Sequence, residues 1–184
     1  YLRFVTGVVD SADLPLNISR ETLQDSLIFR KMSKFLTKRI IRHLDDEAKS
    51  DPGKYVKVWN TFGMFIKEGV TTDFENRTDL ARLLRYRSSA TDSDAYTSLD
   101  EYIGRMREDQ KEIYYINGRS RESIESGPYV GAFRDKGVEV LYLFEPADDF
   151  VMASLGEYDG KKLVSADSAD IELSGSDDGD KKKE

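Results

Sequence analysis

Three short apolar runs, Ile113-Tyr114-Tyr115-Ile116, Val138-Glu139-Val140-Leu141-Tyr142-Leu143-Phe144 and Lys162-Leu163-Val164-Ser165-Ala166, decide the fold of this chain. Each is short and rich in β-branched, aromatic and aliphatic residues, so each reads as a strand. Segments 120–136 and 148–155 lie between them and read as helices. Strands that alternate with helices predict a small parallel sheet with right-handed crossovers.

Upstream of the first run the pattern is helical. Thr97-Ser98-Leu99-Asp100-Glu101 opens a short helix ending near Arg107, and 87–97 is a polar loop. A helix over 76–86 turns Leu80, Leu83 and Leu84 inward. Another over 54–67 carries Tyr55, Val58, Trp59, Phe62, Phe65 and Ile66 on one face, with Gly69 as its expected stop. Asp51-Pro52-Gly53 is a break. Before it runs a long helix, with Ser19 as N-cap and Glu21 in the first turn. Ile28, Met32, Phe35, Leu36, Ile40 and Leu44 recur along it at three- and four-residue steps, predicting a buried stripe. Residues 1–9, Tyr1-Leu2-Arg3-Phe4-Val5-Thr6-Gly7-Val8-Val9, read as a strand whose partners would lie upstream, so the chain is expected to be a fragment. Residues 174–184 contain nothing apolar and are expected to form a mobile tail. The expected class is α/β. Residues 1–19 would be the last strand and loop of a larger unit, 20–110 a helical connector, 111–167 a small αβα subdomain and 168–184 a charged tail.

Composition narrows the chemistry. The 184 residues hold 28 Lys+Arg against 35 Asp+Glu, a formal charge of −7 that argues against a general nucleic-acid binder. The absence of Cys removes disulfides, thiolate metal sites and a cysteine nucleophile. A single histidine, His43, excludes any site that needs two imidazoles, and no metal site is expected. No apolar run is long enough to cross a bilayer, so membrane insertion is not expected either.

The stretch with most chemical content is Leu14-Pro15-Leu16-Asn17-Ile18-Ser19-Arg20-Glu21-Thr22-Leu23-Gln24. It is an irregular loop entering a helix, with Arg20 in the first turn and Gln24 one turn on. Free N–H groups, the positive end of the helix dipole and a guanidinium fork all suit a phosphate. An arginine held there can act as an arginine finger on a transferring γ-phosphoryl group. On residue chemistry alone the commoner case is a structural arginine that pairs with a nearby Asp beside an ordinary cap. Elsewhere, Arg30, Lys31, Lys34, Lys38, Arg39 and Arg42 form a basic stripe, read as a solvated face paired with acids in the same protein. Trp59, Phe62 and Phe65 read as core before contact surface, and Met64 falls off their stripe as the exposed candidate. Asn117-Gly118-Arg119-Ser120 reads as a connection. Gly156-Glu157-Tyr158-Asp159-Gly160-Lys161 is spaced one residue too closely for a phosphate loop and follows a helix, so it is rejected as one. His43 reads as a surface or boundary residue.

Val8-Val9-Asp10-Ser11-Ala12-Asp13-Leu14-Pro15-Leu16-Asn17-Ile18-Ser19-Arg20-Glu21 closely resembles the signature of the heat shock protein 90 chaperone family. There the large α/β part of the middle domain runs into the catalytic loop. The resemblance continues in family order through Leu83-Leu84-Arg85-Tyr86, Ser98-Leu99-Asp100-Glu101-Tyr102, Ile113-Tyr114-Tyr115-Ile116, Glu139-Val140-Leu141-Tyr142 and Glu157-Tyr158-Asp159-Gly160-Lys161. It implies an ATP-dependent chaperone in which Arg20 reaches the γ-phosphate of ATP held by the protein's own N-terminal domain. Gln24 would be a secondary polar contact and Asn17 would shape the loop. ATP and Mg2+ would bind to the full-length protein and not to this segment, which alone should not hydrolyse ATP. The implied partners are the N-terminal ATPase domain, client proteins, co-chaperones and a second copy joined through a C-terminal domain. Met64 and Trp59 are the candidate client contacts. Phe62-Gly63-Met64-Phe65-Ile66-Lys67-Glu68-Gly69 and Lys161-Lys162-Leu163-Val164-Ser165 look most like the family's mitochondrial, tumour necrosis factor receptor-associated branch. That implies the mitochondrial matrix, with the cytoplasm as the alternative.

Overall fold

The computed structural model describes residues 1–10 and 27–169. The expected cap at Ser19 and the tail over 174–184 lie outside the described residues. Helix α1 (Leu27–Ser50) and helix α2 (Pro52–Thr72) are followed by the short α3 (Arg77–Ala81), strand β1 (Arg87–Ser88) and α4 (Leu99–Arg105). Strand β2 (Glu112–Asn117), α5 (Arg121–Glu125), α6 (Pro128–Asp135), β3 (Val140–Leu143), α7 (Pro146–Leu155), β4 (Glu157–Tyr158) and β5 (Lys161–Ser165) complete the order.

The sheet order is β1-β3-β2-β5-β4. Its centre is parallel, with Tyr115 opposite Leu141 on β3 and Tyr114 opposite Val164 on β5. Both edge strands, β1 and β4, are antiparallel to their neighbours. The chain steps from β2 outward to β3 and then crosses back over β2 to β5. Right-handed crossovers in opposite directions must place their helices on opposite faces, and the side chains follow. Ile113, Leu141 and Leu143 pack with Val151 and Met152 of α7 in one cluster. Ile116, Val140 and Tyr142 pack with Ile124, Val130 and Phe133 of α5 and α6 in the other. The first cluster also takes in Ile41, Leu44, Ala48, Tyr55, Trp59, Ile66, Val70, Leu83 and Leu84, so one core runs from α1 to the sheet.

Tyr102 joins α4 to that sheet. The helix starts in a capping box, in which Ser98 and Glu101 each bond the other's backbone N–H. This aims Tyr102 at the end of β2. Its fully buried hydroxyl donates to the Glu139 carbonyl (2.6 Å) and accepts from the Tyr114 N–H and the Gln110 amide (3.1 Å each). Tyr102→Phe strands those groups, and the expected loss of stability is about 1–3 kcal/mol. Chemical denaturation would read it as a lower midpoint with an unchanged far-ultraviolet spectrum.

Several expectations are corrected. Residues 1–10 form no strand, because no strand among the described residues lies beside them to take their hydrogen bonds; Val8 is 98% exposed. The stripe on α1 is buried only in its second half, at Ile41, Leu44 and Ala48. Ile28 and Phe35 are 41% and 67% exposed, since α2 and α3 cover the other end of the helix. Gly69 does not stop α2, which runs on to Thr72. Its bare Cα admits the Tyr1 ring, where an added Cβ would lie 2.7 Å from Cδ2. The helix expected over 76–86 ends at Ala81, and the loop 87–97 contributes β1. The helix expected over 120–136 is two helices. Pro128 forces Gly127 into extended backbone (φ −75°, ψ 160°) and then starts α6.

Candidate functional site

Arg20, Gln24 and Asn17 lie outside the described residues, so their side-chain geometry is not part of this site. What the structure describes is the ground on either side of them. Val8 and Val9 before the segment, and Phe29 and Met32 after it, line one groove of about 600 Å³ with Leu2, Val5, Leu36 and Ile40. The exposed half of the α1 stripe is therefore one wall of an apolar groove, and the first ten residues are the other. Both flanks of the arginine-bearing segment meet there.

The first residues are held in place by α2. Phe4 stacks on Phe62 (4.6 Å between centroids) and on Phe65 (5.8 Å). Arg3 grips the Glu68 carboxylate with two hydrogen bonds (2.8 and 2.7 Å) while lying 4.4 Å over Phe65. That guanidinium holds the Glu68 carboxyl below the usual carboxylate range. The Tyr1 hydroxyl donates to Asp73 (2.5 Å) at the end of α2. Phe62 and Phe65 are thus half-buried beneath Phe4, on the rim of the core.

The other candidates separate clearly. Trp59 is only 6% exposed and packs in the core; its helical spacing with Tyr55, Ile66 and Val70 carried that signal. Met64 is 53% exposed. In the basic stripe Lys34 pairs with Glu75 (2.8 Å), whose carboxyl it lowers, and Lys31, Lys38, Arg39 and Arg42 face outward. His43 is exposed. Asn117 bridges to Asp149 (2.5 Å) and Ser120 caps α5, so 117–120 serves as a connection. The 156–161 stretch is a hairpin. Asp159 (φ 48°) and Gly160 (φ 71°) both adopt positive φ, as a tight two-residue turn between β4 and β5 requires. The Asp-Gly pair was the signal for that turn.

A polar cluster that no sequence motif announces sits at the start of α7. Lys67 lies on the buried face of α2, its Nζ 2.9 Å from Glu145 and 2.7 Å from Asp148 Oδ1. Burial pushes the Asp148 carboxyl up, and Lys67 draws it partly back. The residue spacing 59, 63, 66, 67, 70 already put Lys67 on that face. Among the described residues no group of three or more His, Cys, Asp or Glu could hold a metal ion.

The model of the Hsp90 protein family matches residues 1–184. The chain is 51% identical over 173 residues to the chaperone protein HtpG of Desulfotalea psychrophila, covering 94% of this chain and 28% of that protein. It is 48% identical over 177 residues to the HtpG of Desulfitobacterium hafniense, covering 96% and 29%. With the HtpG of Myxococcus xanthus it shares 44% over 184 residues, covering 100% and 28%. The chain thus spans under a third of the length of these relatives. They are bacterial, and their names reach the family without reaching its mitochondrial branch. With the matched model spanning the whole sequence, the chain belongs to the Hsp90 family.

Proposed function

We propose that this chain is the middle-domain segment of an ATP-dependent chaperone, supplying Arg20 to ATP held by the N-terminal domain of the same protein. What supports this reading is the resemblance of Val8 through Glu21 to the family's catalytic-loop signature, in a chain that the family model matches along its whole length. The groove between residues 2–9 and the first turns of α1 supports the reading, because it anchors both flanks of the Arg20 segment on one surface. Closure of the ATP domain onto that surface would bring the guanidinium to the γ-phosphate as negative charge shifts during transfer. Gln24 would add a polar contact and Asn17 would shape the loop. The nucleotide, Mg2+ and general-base contacts would come from the ATP domain, so this segment alone would be inactive.

Client proteins would meet the exposed surface that includes Met64, co-chaperones would bind the same middle region, and a C-terminal domain would join two copies. The likeness at 62–69 and 161–165 supports the mitochondrial matrix as location, with the cytoplasm as the alternative. A second reading makes the segment a client or co-chaperone scaffold in which Arg20 is structural. The two part on ATP turnover of the full-length protein after Arg20→Ala. Turnover should fall while nucleotide affinity holds; if turnover is unchanged, the scaffold reading stands.

A further inference from the structure

A second cavity, of about 270 Å³, opens between α2, the edge strand β1 and the start of α7. Its apolar walls are Trp59, Tyr96 and Phe144, and its charged groups are Lys67, Arg85, Arg87, Glu145 and Asp148. Three cations therefore face two carboxylates. Lys67 is engaged with both acids. Arg85 is engaged as well: its Nη1 donates to the carbonyls of Arg82 (2.9 Å) and Leu84 (2.8 Å), and its guanidinium lies over Tyr55.

Arg87 is different. Its guanidinium stacks 3.9 Å over the Tyr96 ring, its Nη1 is buried without an acceptor, and no carboxylate pairs with it among the described residues. Beside it the Tyr86 hydroxyl also lacks a partner, on a side chain only 3% exposed. Burial holds that phenol well above its ordinary pKa, so it stays a neutral O–H donor. Two buried donors without acceptors in one half-open cavity call for an acceptor from outside.

We infer that this cavity binds a single carboxylate on a short apolar stem, with Arg87 as its anchoring cation and Trp59, Tyr96 and Phe144 around the stem. The charge balance favours a monoanion: one cation is unmatched, and Glu145 and Asp148 repel a dianionic phosphate. A stacked guanidinium presents its edge, which matches a carboxylate with two parallel hydrogen bonds. The carboxylate can come from an acidic side chain of a polypeptide or from a free small organic acid. This site is independent of Arg20 and of ATP.

Trp59 is the one tryptophan in the chain, so its fluorescence reports on the cavity directly. The 184-residue chain would be titrated with 3-phenylpropionate, and separately with an acetylated, amidated peptide containing Phe-Glu. The neutral amide and the Phe-Gln peptide serve as twins. A saturable change is expected with a carboxylate probe and not with its twin, and Arg87→Gln should weaken it about tenfold or more. Circular dichroism would verify that this variant is folded. Saturation with the small acid, the peptide or both supports the site and identifies the source. No saturation with either probe, equal response to the neutral twins, or unchanged affinity in Arg87→Gln would overturn it and leave a cavity that holds water.

Discussion

Replacing Lys67 by Met should lower the stability of the chain by about 3–5 kcal/mol near neutral pH. Met keeps the length and apolar stem of lysine, so packing against Trp59 is largely preserved. What disappears is the cation that, among the described residues, pairs with the nearly inaccessible Asp148 carboxylate. The Lys67 and Asp148 side chains are 5% and 3% exposed. Asp148 cannot turn to water, because its Oδ2 accepts the Glu145 N–H in the cap of α7. The loss should also depend on pH. Burial already raises the Asp148 carboxyl, and removal of Lys67 raises it further. A carboxylate with a raised folded-state pKa weakens the fold above that value, and the penalty fades as pH falls through it. The deficit should therefore shrink between about pH 7 and about pH 4, the region of an unfolded aspartate. Changing Asp148 to Leu in the same variant should recover most of the loss, less about 1 kcal/mol for the cap. Urea denaturation at several pH values checks all three statements. A loss below about 1 kcal/mol would place the pair in solvent-like surroundings.

The parts of the fold that were legible in the sequence are those set by local pattern. The three runs at 113–116, 138–144 and 162–166 became the parallel core of the sheet, because period and flanking helices leave little choice. The edges were not legible. β1 is two residues long and forms only because β3 offers it an open side, and β4 exists only because the Asp159-Gly160 turn folds it onto β5. Tertiary surroundings also decided which apolar residues are buried. Ile28 and Ile41 share one helix, yet only Ile41 meets α2 and α3. Residues 1–10 have strand composition and, among the described residues, no strand beside them. Gly69, a stop by propensity, is a contact by packing. For the site, Asn17, Arg20 and Gln24 lie outside the described residues, and their assignment rests on the family resemblance of the segment that holds them. The Lys67–Asp148 pair and the free Arg87 were not legible, because positions 67, 87 and 148 meet only when α2, β1 and α7 pack together.

ATP turnover by the full-length protein, with Arg20 intact and with Arg20→Ala, tests the central claim most directly when nucleotide affinity is measured alongside. An arginine that acts on charge developing in transfer contributes mainly to the transition state. Its removal should raise the barrier on the order of 2–4 kcal/mol, about thirty- to a thousandfold in kcat, with Kd for ATP nearly unchanged. Client binding by the nucleotide-free protein should stay as it was. Turnover that survives the substitution, or falls only as far as ATP affinity falls, would contradict the split-site account and make Arg20 a structural residue.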